Sequence, residues 1–181
     1  MGASRIENFR EKLFPQGHCL TERLFIQPLQ PADAFQLVVL TNDPLVAAGK
    51  SKLPQPFTLA DAQDLIALPH QSKGCFASVH AGENGPFVGC VGAVVRGAAD
   101  IEMGFWVGAP YHGKRYGAEA AEAMLGLLRD AFPDRRIVAE CSRENGATWR
   151  LLQRLGFSPS GGSGASKRSQ LLIFEAPAPV D

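Results

Sequence analysis

The sequence has no excess of charge of either sign: 18 Lys plus Arg stand against 18 Asp plus Glu. That balance gives no electrostatic case for nucleic acid or an anionic membrane as partner. No apolar run approaches the ~18 residues that a membrane-spanning helix needs. The opening MGASRIENFREK is charged from the start and lacks the apolar segment of a secretory leader. It begins Met-Gly, but Ile6 stands where the myristoylation pattern asks for Ser or Thr. Cysteine is sparse: Cys19, Cys75, Cys90 and Cys141 are widely spaced with no CxxC pair, which argues for reduced thiols over a disulfide framework or a zinc site. The histidines, His18, His70, His80 and His112, show no metal-ligand spacing. There is no GxGxxG fingerprint, and GGSGAS misses the GxSxG elbow because Ala165 stands where the last glycine belongs. These absences predict a cytoplasmic protein without a metal, and leave monomer and homodimer both open.

What is there suits one compact domain. At 181 residues and 45% apolar content, a chain can bury roughly 70% of its unfolded surface. Residues 1–19 read as a mobile or loosely helical lead-in, 20–176 as a single domain, and 177–181 as an extended tail. RLFIQP, from Arg23 to Pro28, alternates as a first strand. Asp33 to Leu40 and Pro44 to Ala48 have helical character, broken by Thr41-Asn42-Asp43. Thr58 with Asp61 three residues on predicts a capped helix from Leu59 to about Leu68. Cys75 to His80, Pro86 to Val95 and Ile101 to Val107 read as an antiparallel meander around turns at Gly82 to Gly85 and Arg96 to Asp100. Gly117 to Phe132 carries the clearest helical period, through Ala120, Ala121, Met124, Leu127, Leu128 and Ala131. Arg136 to Cys141 is a strand, Asn145 to Leu155 an amphipathic helix, and Phe157 to Ser160 with Leu171 to Glu175 a last hairpin around a glycine-rich connection. Strands before the long helix and strand–helix–strand after it predict an α/β fold: a mixed sheet with helices on both faces.

The most informative stretch is YHGKRYGAEA, Tyr111 to Ala120, which follows a strand and opens a helix. Gly113 and Gly117 permit close backbone approach. The free N–H groups of a helix's first turn favour an anion, and Lys114 and Arg115 add cationic donors. A diphosphate-bearing ligand fits that demand; so does a plain solvated basic turn. Gly108 to Arg115 nearly matches the P-loop spacing GxxxxGK[ST], but Arg115 replaces the magnesium-binding hydroxyl, and Pro110, Tyr111 and His112 suit a phosphate-wrapping loop poorly.

This loop and the chain around it resemble the GNAT superfamily of acyltransferases, in particular the branch of ribosomal-protein N-terminal alanine acetyltransferases. The resemblance is carried by four pieces in order: LTERLFIQPLQPADA from Leu20, FVGCVGAVV from Phe87, IEMGFWV from Ile101, and NGATWRLLQRLGF from Asn145 to Phe157. It implies a central, mostly antiparallel twisted sheet of six to seven strands, splayed between strands 4 and 5. It also implies an acetyl-CoA-dependent N-acetyltransferase acting directly on a primary amine of a protein N-terminus or a small molecule. The alternative is a GNAT-like module that holds acyl-CoA without efficient transfer.

By the resemblance, the pantetheine arm pairs with the backbone of Phe105, Trp106 and Val107, and the pyrophosphate sits on His112, Gly113, Lys114, Arg115, Tyr116, Gly117 and Ala118. In the family's loop pattern His112 and Arg115 depart, and Arg115 replaces a glycine. Glu102 stands where several members carry a catalytic glutamate; it reads equally as a sheet-surface carboxylate or one that shapes the acceptor pocket. The tyrosine acid of many members is Leu152 here. Thr148 keeps the hydroxyl of the branch's serine and is assigned to the CoA sulfur, with a plain helix-surface hydroxyl as the other reading. Asn145 is assigned to the pantetheine arm, and its reading as a helix cap is compatible with that role. Trp149 reads as helix packing.

Overall fold

The structure, a computed structural model, describes residues 6–48, 52–164 and 168–176. An eight-stranded sheet forms the frame, with strands in the spatial order β1-β2-β3-β4-β5-β6-β8-β7. In chain order these are β1 (Cys19–Leu20), β2 (Phe25–Pro28), β3 (Gly74–His80), β4 (Phe87–Arg96), β5 (Asp100–Val107), β6 (Arg136–Ser142), β7 (Phe157–Ser163) and β8 (Ser169–Phe174). The helices are α1 (Phe9–Leu13), α2 (Ala34–Asn42), α3 (Pro44–Ala47), α4 (Leu59–Ala67), α5 (Tyr116–Ala131) and α6 (Gly146–Arg154). None of them is long and apolar enough to cross a membrane.

Neighbouring strands are antiparallel except at one seam. There β5 and β6 run parallel, joined through α5 as a strand–helix–strand crossover. The seam is short. Pairing starts at Asp100↔Arg136 and stops at Met103↔Ala139, while β5 runs on to Val107 against β4 alone. Four residues of β5, about 13 Å at a strand's rise, therefore diverge from β6. This is the expected splay.

Alternation along β5 sends its side chains to two separate cores. Ile101 and Met103 join Phe9, Leu13, Met124, Leu128 and Leu152 on the α1–α5–α6 face. Trp106 joins Leu37, Leu40, Phe57 and Ala62 on the α2–α4 face. Each large apolar side chain so buried contributes roughly 1.5–3 kcal/mol from removal of its surface from water. α4 begins as its sequence indicates: the Thr58 hydroxyl accepts from Asp61 N–H, and Asp61 accepts from Thr58 N–H.

Several expectations are corrected. The sheet has eight strands, not six to seven; the extra one is the two-residue β1, which straddles the boundary drawn between lead-in and domain. The described residues of the lead-in, from Ile6 on, pack against the core. Phe9 and Leu13 of α1 are fully buried, and Phe9 stacks on Phe132 with ring centroids 4.8 Å apart. β7 runs on through Gly161 and Gly162 to Ser163, past the expected end at Ser160; its register with β8 shifts between Pro159 and Ser163, and pairing resumes at Ser163↔Gln170. The predicted extended tail at 177–181, and residues 165–167 of the glycine-rich connection, lie outside the described residues. All four cysteines are free thiols.

Candidate functional site

The long helix α5 starts just beyond the open end of β5. A short 3-10 turn at Ala109–Tyr111 leads into the basic loop, where Gly113 has φ 78° and Arg115 φ 65°. Arg115 thus holds the left-handed backbone at the position where the family pattern has glycine. That conformation carries a steric cost of about 1–2 kcal/mol for a side chain with a Cβ. Gly117 matters through closeness: a Cβ there would stand 3.3 Å from Val107 Cγ2 and 3.7 Å from the Phe105 ring. A larger residue would push the helix start away from the strand end.

Three contacts fix the loop. His112 Nε2 lies 2.8 Å from the Val107 carbonyl oxygen, tying the turn to the end of β5. The Arg23 guanidinium donates to the Lys114 carbonyl at 3.0 Å and to Glu119 at 2.7 Å. Glu119 also accepts from the Thr21 hydroxyl and from Arg23 N–H. Burial alone would push the Glu119 carboxyl up, but these donors together with the Arg23 charge outweigh it and hold it below the ordinary value. Lys114 Nζ sits 5.8 Å over the Tyr111 ring, and Arg23 4.9 Å over the Tyr116 ring. The result is a braced helix N-terminus with a cationic rim, suited to a phosphate.

On the far side of the splay, α6 begins at the end of β6. Asn145 is its N-cap, with Oδ1 accepting from Thr148 N–H at 3.4 Å. The cap reading of Asn145 therefore holds. Thr148 is half-buried, and its hydroxyl has no hydrogen-bond partner among the described residues. Trp106 is 7% exposed, its ring 5.7 Å from that of Phe76, so only its backbone can meet a ligand. Trp149 packs against the α5-side core with Arg143 over its ring. Burial pushes the Cys141 thiol up to about 11 and that of Cys75 up to about 12. Both stay protonated near neutrality and are poor nucleophiles.

The fork of the splay holds charges. Glu102 stands one residue before the last β5–β6 pair, and Glu140 one residue after it. Glu102 is engaged by Lys52 and by Arg96 at 3.1 Å. Glu140, with a side chain 3% exposed, lies 2.7 Å from Lys52 Nζ, 3.8 Å from Arg96, and accepts from the Ser169 hydroxyl. The same face at Gly104 is open: a Cβ built there meets nothing within 4 Å. Sequence reading found Glu102 but missed Glu140, Lys52 and Arg96. Glu140 did leave a signal, an acid inside the apolar strand RIVAEC at the alternation facing Glu102. Lys52, between α3 and α4, left none.

The structure thus brings Phe105, Val107 and the 112–118 loop together on one side of a strand gap, and Asn145 with Thr148 on the other. Glu102 lies at its closed end, and its partners are cations, not Thr148. Two surface hollows, of about 220 and 380 Å3, lie elsewhere, at the C-terminal end of α5 around Phe132 and Arg135. We assign the chemistry to the gap and not to them, because the hollows lack a strand edge or a helix N-terminus.

Comparison with known proteins agrees with this geometry. The family model described as an acetyltransferase (GNAT) domain matches residues 23–158. No curated protein sequence matches the chain. Among solved structures, an acetyltransferase from Agrobacterium tumefaciens is similar at TM-score 0.74 and 20% identity, covering 88% of this chain and 94% of that one. The ribosomal-protein-S5-alanine acetyltransferase of Vibrio fischeri is similar at TM-score 0.72 and 17% identity, covering 86% and 94%. The spermidine N-acetyltransferase of Vibrio cholerae, solved with CoA and spermine, is similar at TM-score 0.72 and 14% identity, covering 84% and 94%. At such identities these likenesses speak for the fold.

Proposed function

The chain belongs to the GNAT acetyltransferases, enzymes that transfer acetyl groups from acetyl-CoA, and from that premise we propose that it acetylates a primary amine, on a protein N-terminus or a small molecule. The observation that carries the reading is the four-residue run of β5 that leaves β6 and ends against a braced, cationic helix N-terminus. A ligand with an extended amide-bearing arm and a diphosphate matches both parts. The arm adds to the edge of Phe105, Trp106 and Val107 as a strand would. The diphosphate takes the N–H groups and cations from His112 to Ala118. Two of the similar structures, by name, act on a protein alanine and on a polyamine, which supports an amine acceptor.

The transfer is direct. The acceptor ammonium loses a proton, its nitrogen attacks the thioester carbonyl, the C–N bond forms and the C–S bond breaks, leaving a thiolate to be protonated. Glu102, at the fork, is the proton acceptor in this scheme once released from Lys52. Thr148 donates its hydroxyl hydrogen bond to the departing sulfur, the task given to tyrosine where the family has one. Asn145 binds the pantetheine arm with its N–H groups while its oxygen caps α6.

A second reading has its own observations: Leu152 replaces the usual acid, and Glu102 is engaged by two cations. It makes the chain an acyl-CoA-binding module that transfers poorly. One experiment separates the two. Acetyl-CoA is offered with a panel of small amines and N-terminal peptides, and free CoA thiol is measured. Amine-dependent thiol release supports the enzyme. Tight acetyl-CoA binding with release at background across the panel establishes the module.

A further inference from the structure

The carboxylates at the fork and the cation between them differ in how firmly they are held. Glu102 and Glu140 project from adjacent strands, and their side chains are 12% and 3% exposed. Glu140 is fixed further by Ser169 on β8. Lys52 comes from the connection between α3 and α4, and its side chain is 40% exposed. Its ammonium nevertheless reaches the closed end of the gap and touches both carboxylates. The acids are built into the sheet; the amine is a visitor on a flexible four-carbon stem.

We propose that Lys52 is an internal competitor for the acceptor: its ammonium holds the place of a substrate ammonium between Glu102 and Glu140, and it leaves when the acceptor enters. This rests on the amine-acetylation reading above and assigns a regulation to that same site. Charge balance gives the reason for the exchange. Among the described residues, the two carboxylates face the cations Lys52 and Arg96. Withdrawal of Lys52 alone strands a negative charge beside a buried carboxylate, which is costly. Replacement by one alkylammonium restores the balance, whereas a neutral or anionic acceptor does not. The site therefore selects a cationic amine, and the open space beside Gly104 on the same face gives its carbon chain room.

The test uses the full chain as wild type, Lys52→Met and Lys52→Gln, the second keeping hydrogen-bond donors in case the first fails to fold. Phenethylamine, spermidine and a short peptide with an N-terminal alanine are titrated in the presence of CoA by calorimetry, with 2-phenylethanol as the neutral control. Steady-state transfer from acetyl-CoA is measured in parallel. Removing a competitor that fills the site most of the time tightens binding of at least one amine by about fivefold or more in both variants. KM for that amine falls by the same factor, the affinity for acetyl-CoA stays within about twofold, and the alcohol is unaffected. Equal or weaker amine binding in both variants, or no amine binding to any form, overturns the proposal. Transfer with unchanged KM removes the competitor and leaves the acetyltransferase reading standing. Tightened amine binding with no CoA release from any form keeps the competitor and removes the transfer reading.

Discussion

Arg115 shows how one side chain can conflict with its own backbone. Its φ of 65° suits glycine. We expect Arg115→Gly to raise the free energy of unfolding by about 1 kcal/mol, read from urea denaturation, whereas Arg115→Ala keeps the strain and gives no such gain. The departure from the family pattern was visible in the sequence. The left-handed backbone at Arg115 and the bonds that brace the loop were not, because those bonds come from Arg23 and His112, distant in sequence or pointing backward. Thr148 is the other position where a single group decides much. With its proposed hydrogen bond to the sulfur, Thr148→Ala lowers kcat by about tenfold or more and leaves acetyl-CoA affinity within about twofold. Unchanged turnover in single-turnover assays takes Thr148 out of the mechanism.

At the scale of elements, the brace between the β1–β2 connection and α5 is the contact that positions the loop. Glu119, in the first turn of α5, gathers Thr21 and Arg23, and Arg23 in turn holds the Lys114 carbonyl. Because the Glu119 carboxyl is held below its ordinary value when folded, its contribution is complete above the unfolded carboxylate's pKa of about 4.3 and fades as pH falls through the lower folded value. Glu119→Gln should cost roughly 1 kcal/mol at neutral pH. The difference from wild type should shrink below about pH 4 in denaturation curves taken from pH 7 to 3. A difference that is constant across that range contradicts the assignment. Elements with their own local signals were legible: Thr58 and Asp61 marked the start of α4, Asn145 that of α6, and the apolar period gave α5. β1 and the far end of β7 had none: β1 exists by pairing with β2, and β7 rejoins β8 at Ser163 only after a register irregularity.

For the whole molecule, the N-terminal segment is part of the core. Phe9 and Leu13 close the α5 face of the sheet. Phe9→Ala should therefore destabilise the entire domain by about 3–5 kcal/mol, leaving a cavity against Phe132. A melting temperature within a few degrees of wild type would return the segment to the loose lead-in that its polar composition suggested. Periodicity, caps and motif order are local properties, and they were enough for the mixed sheet with helices on both faces, the strand–loop–helix proposed to hold a diphosphate, and the family. Where β5 leaves β6, which residues brace the loop, and that Glu102 shares the fork with Glu140, Arg96 and Lys52 became visible in three dimensions alone. Those depend on register across strands and on side chains up to 98 residues apart, set by packing and charge compensation and not by neighbours in the chain.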